Sequence, residues 1–153
     1  MSLLLNAQEV ELLSALNAHH VQYLVVGGHA VIFHGYLRAA KDLDIWIEPN
    51  EKNAELLRSA LAAVRVHLGP EHVARLGKPN LQMPIQSLYT ELLTSVGDLV
   101  FEEALGRSSS TLEKGVPCHV LSLQDLLRCK KLLGRPSDLE DIQNLQEQSR
   151  RGV

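Results

Sequence analysis

The sequence predicts a mixed α/β protein, an α+β arrangement in which a short mixed β-sheet is flanked by helices. Short apolar runs typical of strands, such as Tyr23 to Val26, alternate with longer stretches whose apolar residues recur at helical spacing. Capping residues, Gly and Pro separate these stretches. The 153 residues are most simply one domain, from residue 1 to residue 153, and the chain is long enough to bury a core.

The first elements lead up to an acidic strand. Asn6 and Glu9 resemble the two ends of a capping box, which opens a helix extending to about Ala18. Val21 to Val26 is predicted to be the first strand, and His29 to Tyr36 a short helix. The next strand alternates apolar residues with two carboxylates.

The later elements follow from the same local signals. A helix begins at Pro49-Asn50, and Gly69 to Pro84 is predicted to be mainly loop. A strand from Ile85 to Leu93 follows, and then Val100 to Gly106, which is either a short helix or an irregular segment. A strand from Pro117 to Leu121 and a helix from Ser122 to Leu133 come next. A second capping box, Ser137 to Glu140, opens the last helix.

Composition limits the classes of partner. A net charge of −3, a pI of about 6.1 and 4% aromatic residues argue against a broad basic surface for nucleic acid and against base-stacking platforms. A local basic patch remains open around Arg128, Lys130, Lys131 and Arg135.

Composition also bears on location. No apolar run approaches the ~20 residues of a membrane span, and the first residues lack the basic start of a signal peptide. Cys118 and Cys129 show no metal or redox spacing and are expected to be free thiols. The seven histidines have no cysteine partners at a zinc-binding spacing. We therefore expect a cytoplasmic protein with no membrane association.

Two carboxylates on the acidic strand are the first indication of a site. Successive side chains of a strand point to opposite faces, so Asp42 and Asp44 share one face, roughly 7 Å apart. Leu43, Ile45 and Ile47 can bury against helices on the other face. Carboxylates held together repel one another unless a cation lies between them, and oxygen ligands suit Mg²⁺. The alternative is a half-exposed strand with a solvated acidic face.

A glycine pair precedes this strand. Gly27 and Gly28 follow the apolar run from Leu24 to Val26, and glycine allows the backbone to approach a phosphate closely at a helix start. Taken alone, the pair could equally be an ordinary strand-to-helix turn. Together with the two carboxylates it favours a site for a nucleoside triphosphate and a divalent metal.

These residues resemble a family. Gly-Gly followed by Asp-Leu-Asp-Ile is similar to the signature of the nucleotidyltransferase fold, or polymerase-beta-like superfamily, and especially to small bacterial members related to abortive-infection toxin and minimal nucleotidyltransferases. The resemblance covers residues from about 21 to 145. It includes Arg38, four residues before the first Asp, the segments Leu92–Val96 and Phe101–Ala104, and a closing pair of helices within Leu121–Ile142.

The resemblance implies a Mg²⁺-dependent enzyme that moves a nucleoside monophosphate from an NTP to an acceptor hydroxyl. Asp42 and Asp44 would hold one or two Mg²⁺ ions. Glu91 would be a third metal ligand or the general base for the acceptor hydroxyl. A solvated strand residue is the alternative for Glu91.

The resemblance also implies nucleotide-binding residues. Gly27 and Gly28 would receive the phosphate tail, and Arg38 would neutralise its charge. Lys130 would meet a phosphate, unless it belongs to a solvated helix face. His29, next to the glycines, would line the nucleotide pocket.

The chain departs from the family pattern at two positions. Glu91 stands where an Asp is usual, and Ala40 stands where a Thr is common, which removes a hydroxyl. Arg135, Asp138 and Asp141 match the family's closing pattern but could equally be caps and surface pairs.

These departures keep a second function open. The protein would then be a catalytically degenerate nucleotide-binding module, or an antitoxin-like module that binds a protein partner such as a cognate toxin or antitoxin. A third reading, a toxin that modifies transfer RNA, is opposed by the acidic balance. The acceptor could be a small molecule, an RNA or a protein hydroxyl, and the site could be completed in a homodimer.

Overall fold

A computed structural model describes residues 1–151 of the chain. Within these residues there are seven α-helices and one six-stranded mixed sheet, so the predicted mixed α/β class is confirmed. The strands are β1 (Tyr23–Val26), β2 (Leu43–Ile47), β3 (Gln82–Ile85), β4 (Thr90–Leu93), β5 (Ser109–Glu113) and β6 (Val116–Val120). The helices are α1 (Ala7–Ala18), α2 (Gly27–Phe33), α3 (Glu51–Ala63), α4 (Pro70–Leu76), α5 (Phe101–Arg107), α6 (Leu123–Leu133) and α7 (Pro136–Arg151).

The sheet has the strand order β3-β4-β2-β1-β6-β5. β1 runs antiparallel to β2 and parallel to β6, while β2 runs parallel to β4. The two outer pairs, β3 with β4 and β5 with β6, are antiparallel. The Gly pair directly follows β1, and the Asp pair lies at the start of β2. Both pairs are therefore held by the two central strands of the sheet.

The core is built on these two central strands. Every position of β1 is buried, and Asp44 is the one position of β2 that is not. Continuous apolar burial of this kind is typical of strands covered on both faces. Trp46 packs edge-on against Phe101 of α5, with ring centroids 5.1 Å apart. Because alternate residues of a strand share a face, α5 covers the same face of the sheet that carries Asp44.

Local capping residues set the helix starts that the sequence predicted. Asn6 Oδ1 accepts a hydrogen bond from the backbone N–H of Glu9 at 2.8 Å, and Glu9 Oε1 accepts one from Asn6 N–H at 2.9 Å. This capping box satisfies two backbone donors that α1 would otherwise leave unpaired. Ser122 caps α6 by accepting a hydrogen bond from the backbone N–H of Asp125 at 3.1 Å, and Gly134, with φ of 62°, ends the helix in the left-handed conformation.

The predicted loop from Gly69 to Pro84 is wrong. It contains α4, which begins at Pro70, and β3, in which Met83 and Ile85 are buried. Proline fits the first turn of a helix because the amide hydrogen it lacks would be unpaired there. Pro84 is tolerated because β3 lies at the edge of the sheet.

Several other boundaries also differ from the prediction. The predicted strand from Ile85 to Leu93 is interrupted by a 3₁₀ turn, Gln86–Leu88, and by Tyr89 in the left-handed conformation, so β4 begins only at Thr90. The helix after β1 begins at Gly27 rather than His29. The last helix begins at Pro136, and Asp138 reaches back to accept a hydrogen bond from the N–H of Arg135 at 3.2 Å.

β5 is an additional strand that the sequence did not predict. It forms a hairpin with β6 through Lys114 and Gly115, both of which have positive φ. Two central residues with positive φ define the turn type that matches the twist of a hairpin. Asn or Asp usually precedes Gly in this type of turn. Lys114 occupies that position here, so Gly115 is the one residue of the turn that indicates it in the sequence. Among residues 1–151, no helix is both long and apolar enough to cross a membrane.

Candidate functional site

The predicted acidic residues meet where β1 ends and β2 and β4 begin. In the strand register Asp44 lies opposite Val26 of β1 and beside Glu91 of β4. Directly paired residues of neighbouring strands point to the same face, with backbones about 4.8 Å apart. Asp44 and Glu91 are both half-buried. The structure thus brings together two carboxylates that are far apart in the sequence.

Asp42 lies close to this pair but outside the strand. It occupies a bend immediately before β2 and is half-buried. The prediction placed Asp42 on the same strand as Asp44, whereas β2 begins at Leu43 and leaves Asp42 in the bend before it. The negative charge of Asp42 nevertheless contributes to the raised pKa of Asp44.

The environment of Asp44 disfavours its charged form. Burial raises the pKa of Asp44 from 3.8 to about 6, and the negative charges of Glu91 and Asp42 add to the increase. The charges of His29 and Arg38 act in the opposite direction. A carboxylate surrounded in this way is stabilised by a cation, since a positive charge offsets both the repulsion and the lost hydration.

The backbone at Gly27 closely approaches the Asp44 carboxylate, and the backbone at Gly28 closely approaches Ala40. Gly27 has a φ of 67°, and a Cβ at this position would overlap Asp44 Oδ2 and lie 2.9 Å from Asp44 Cγ. A Cβ at Gly28 would lie 3.0 Å from the Cβ of Ala40. A side chain at Gly27 would thus collide with Asp44, so glycine at this turn keeps the space beside the carboxylate open.

Arg38 lies beside the glycine pair and forms an ion pair with α7. Its Nη2 donates to Asp141 Oδ2 at 3.2 Å, and its Nε lies 3.2 Å from Asp141 Oδ1. Its Nη1 would be 3.6 Å from a Cβ at Gly28. Arg38 therefore lies near the glycine turn that is predicted to receive the phosphate tail.

Lys130 is buried, so it does not belong to a solvated helix face. Its Nζ lies 2.8 Å from Asp141 Oδ2 and 3.6 Å from Asp138 Oδ1. Asp138 also accepts a hydrogen bond from Arg135 Nε at 2.7 Å. These contacts exclude the reading of Asp138 and Asp141 as surface pairs, since both carboxylates are buried.

The predicted basic patch is largely neutralised by ion pairs. Arg128 pairs with Asp98 at 2.7 Å, while Lys130 and Arg135 pair with the carboxylates of α7. A cavity of about 590 Å³ between α5 and α6 is lined by Arg128 and Asp98, but by none of the three predicted metal ligands. Three of the four predicted cations are therefore paired with carboxylates, while the side chains of Arg128, Lys131 and Arg135 remain exposed.

The donor set at this edge fits Mg²⁺. Asp44 and Glu91 provide carboxylate oxygens on one face, and Asp42 lies next to them. Mg²⁺ typically uses one or two carboxylates and completes its shell with water and substrate phosphates. Within residues 1–151, no group of three or more His, Cys, Asp or Glu side chains is arranged to hold a metal. Two protein ligands plus phosphate oxygens are thus the arrangement that these residues could provide.

His29 does not line this edge, contrary to the prediction. Its ring is buried, with Nδ1 2.8 Å from the carbonyl oxygen of Leu3 and Nε2 3.4 Å from Glu9 Oε2. The side chain therefore joins α2 to the N-terminal segment. Sequence reasoning missed this role of Glu9, because a contact between α1 and α2 has no local signal.

The pairing of Asp141 with Arg38 was also missed. No local signal indicated it, because the two residues are 103 positions apart and meet only when α7 packs. Comparison of the sequence with protein-family models and with curated proteins finds no match in either set. The site is therefore defined by its own geometry.

Proposed function

We propose that this protein has the nucleotidyltransferase fold and is a Mg²⁺-dependent nucleotidyltransferase. It would move a nucleoside monophosphate from an NTP to an acceptor hydroxyl. The observation that carries the proposal is the position of Asp44, which lies beside Glu91 and against the turn at Gly27. Carboxylate ligands next to an open backbone turn are what a metal-bound triphosphate needs.

The carboxylates would have separate roles in this reaction. Asp42 and Asp44 would hold one or two Mg²⁺ ions, which supply charge neutralisation for the triphosphate when bound. Glu91, which lies beside Asp44, would accept the proton of the acceptor hydroxyl. The raised pKa of Asp44, about 6, supports a site that is stabilised by added positive charge.

The remaining residues would position the nucleotide. The backbone at Gly27 and Gly28 would accommodate the phosphate tail, and Arg38 would neutralise part of its charge. Lys130 would act from further back, through its ion pair with Asp141. The acceptor hydroxyl would then attack the α-phosphorus in line with departing pyrophosphate, so catalysis is mainly positioning and charge neutralisation.

One observation favours a second function. The methyl group of Ala40 faces Gly28, so no hydroxyl is available at this point of the site. A protein of this kind would bind a nucleotide without turnover and would act through a toxin or antitoxin partner. Both functions are expected in the cytoplasm, in keeping with two free, buried cysteines.

Calorimetric titration separates these possibilities. ATP, GTP, CTP and UTP are titrated into the protein with and without Mg²⁺, and into the double variant Asp42→Asn/Asp44→Asn. A matched control, Glu102→Gln/Glu103→Gln, removes two exposed carboxylates from α5. We expect Mg²⁺-dependent binding of at least one nucleotide, lost in the Asp variant and retained in the control.

A transfer assay then tests turnover. The preferred nucleotide, labelled at its α-phosphate, is incubated with candidate small molecules, RNA and proteins, and pyrophosphate release is followed. Label transfer that disappears in Asp44→Asn supports the enzyme. Tight binding with no transfer to any acceptor class, together with stable association with a second protein, would favour the second function. Absence of nucleotide binding by the folded wild-type chain would rule out the enzyme and favour an antitoxin-like module that binds a protein partner.

A further inference from the structure

Asp141 of α7 connects two cations that come from different parts of the chain. Its Oδ1 lies 3.2 Å from Arg38 Nε, and its Oδ2 lies 2.8 Å from Lys130 Nζ and accepts from Arg38 Nη2 at 3.2 Å. Asp141 is buried and Arg38 is about one-third exposed. The exposed partner is thus held by a carboxylate that is itself fixed inside the protein.

The contacts of Arg38 orient its guanidinium group. The edge formed by Nε and Nη2 faces Asp141, while Nη1 donates to the carbonyl oxygen of Ala39 at 3.1 Å and lies next to Gly28. The planar guanidinium group cannot turn without breaking these contacts. The side of Arg38 that does not contact Asp141 therefore lies beside the glycine turn.

The surrounding cluster keeps a positive balance. Three cations, Arg38, Lys130 and Arg135, share two carboxylates, Asp138 and Asp141. Asp141 therefore fixes Arg38 without cancelling the charge of the cluster. The positive charge of Arg38 also offsets part of the increase in the pKa of Asp44.

We propose that Asp141 is a positioning residue that holds Arg38 against the Gly28 turn, so that the guanidinium is already oriented for a nucleotide phosphate. The inference rests on the proposed function and adds a residue on α7 to the same site. Fixing a flexible arginine before binding avoids the loss of side-chain freedom on binding, which improves affinity. Lys130 acts as the second anchor, since it holds Asp141 from the other side.

A double-mutant cycle tests this role. The affinity of the Mg²⁺ complex of the best-bound nucleotide is measured for wild type, Asp141→Asn, Arg38→Gln and the double variant. We expect Asp141→Asn to weaken binding about tenfold, as is usual for residues that orient a ligand-binding group. The same substitution should have no further effect when Arg38 is already Gln, because Asp141 acts through Arg38.

A matched control separates positioning from stability. Asp138→Asn disrupts the same cluster at Lys130 and Arg135 but leaves the Arg38–Asp141 pair intact. We expect its nucleotide affinity to stay within about twofold of wild type. If Asp141→Asn does not fold, Asp141→Glu replaces it, since it keeps the charge but displaces the oxygens by one methylene, and its loss of affinity should again vanish in the Arg38→Gln background.

The outcomes are distinguishable. Binding by wild type that is unchanged or strengthened in Asp141→Asn overturns the positioning role and leaves the proposed function intact. Equal losses with and without Arg38, or an equal loss in Asp138→Asn, mean that Asp141 acts on folding alone and also overturn the inference. No binding by wild type overturns the proposed function together with it.

Discussion

Neutralising Asp44 should make the folded protein more stable at neutral pH, although the side chain belongs to the proposed site. Burial, with the charges of Glu91 and Asp42, raises the pKa of Asp44 from 3.8 to about 6. A carboxyl with a higher pKa in the folded chain stabilises the folded state at pH values below its unfolded pKa. That contribution disappears as the pH rises from 3.8 through about 6, so the ionised carboxylate weakens the fold at neutral pH.

The expected size follows from the same pKa. A difference of this magnitude corresponds to about 3 kcal/mol of unfolding free energy. Because Asp44 is only half-buried, solvent screens part of the effect, and we expect about 1–2 kcal/mol. Asn has nearly the same shape as Asp and no charge, so Asp44→Asn should gain this amount at neutral pH and gain nothing in acid.

Urea unfolding with EDTA present, at about pH 7.5 and about pH 4, measures this difference. Asp98→Asn is the control, since the hydrogen bonds from Arg128 lower the pKa of Asp98 and its removal should not stabilise the protein. When EDTA is omitted, added Mg²⁺ should raise the stability of wild type but not of Asp44→Asn. The reasoning is refuted if Asp44→Asn is no more stable than wild type at neutral pH.

Three further predictions concern the glycine turn, the buried cation and the thiols. Gly27→Ala should destabilise the fold by about 1–2 kcal/mol in urea unfolding, because φ is 67°, and should also weaken Mg²⁺ binding. The control Gly106→Ala, in open space on α5, should be neutral or stabilising. Lys130→Met should cost about 1–3 kcal/mol, because Asp141 loses its 2.8 Å ion pair and keeps only Arg38 as a partner. Exposed Lys131→Met should change thermal unfolding little. Burial raises the pKa of both cysteine thiols to about 11, so a thiol reagent near pH 8 should react only after unfolding; rapid labelling of the native protein would contradict their burial.

The sequence predicted those elements whose signals are local. Asn6 and Ser122 have side chains that cap the helix that follows, so the starts of α1 and α6 are confirmed. β3 and β5 were not predicted because each is an edge strand that is defined by its partner. Pro84 in β3 is compatible with an edge and argues against a central strand, which made the segment resemble a loop.

The site could be predicted only in part for the same reason. In the sequence, Gly27 followed by Asp44 indicated a turn and then an acidic strand. In the structure both residues lie at the end of β1. The adjacency of Asp44 and Glu91 depends on the parallel register of β2 and β4, which no local pattern specifies. The contact of Arg38 with Asp141 spans 103 residues and depends on how α7 packs.

Manganese binding tests the central claim most directly, because Mn²⁺ can replace Mg²⁺ at carboxylate sites and is paramagnetic. Free Mn²⁺ is followed by electron paramagnetic resonance as wild type, Asp42→Asn/Asp44→Asn and Glu102→Gln/Glu103→Gln are added, with and without nucleotide. We predict one or two bound ions per chain in wild type and the Glu control, tighter with nucleotide, and none in the Asp variant. Equal Mn²⁺ binding by all three proteins, or none by wild type with nucleotide present, would contradict a metal-dependent nucleotide site at Asp42 and Asp44.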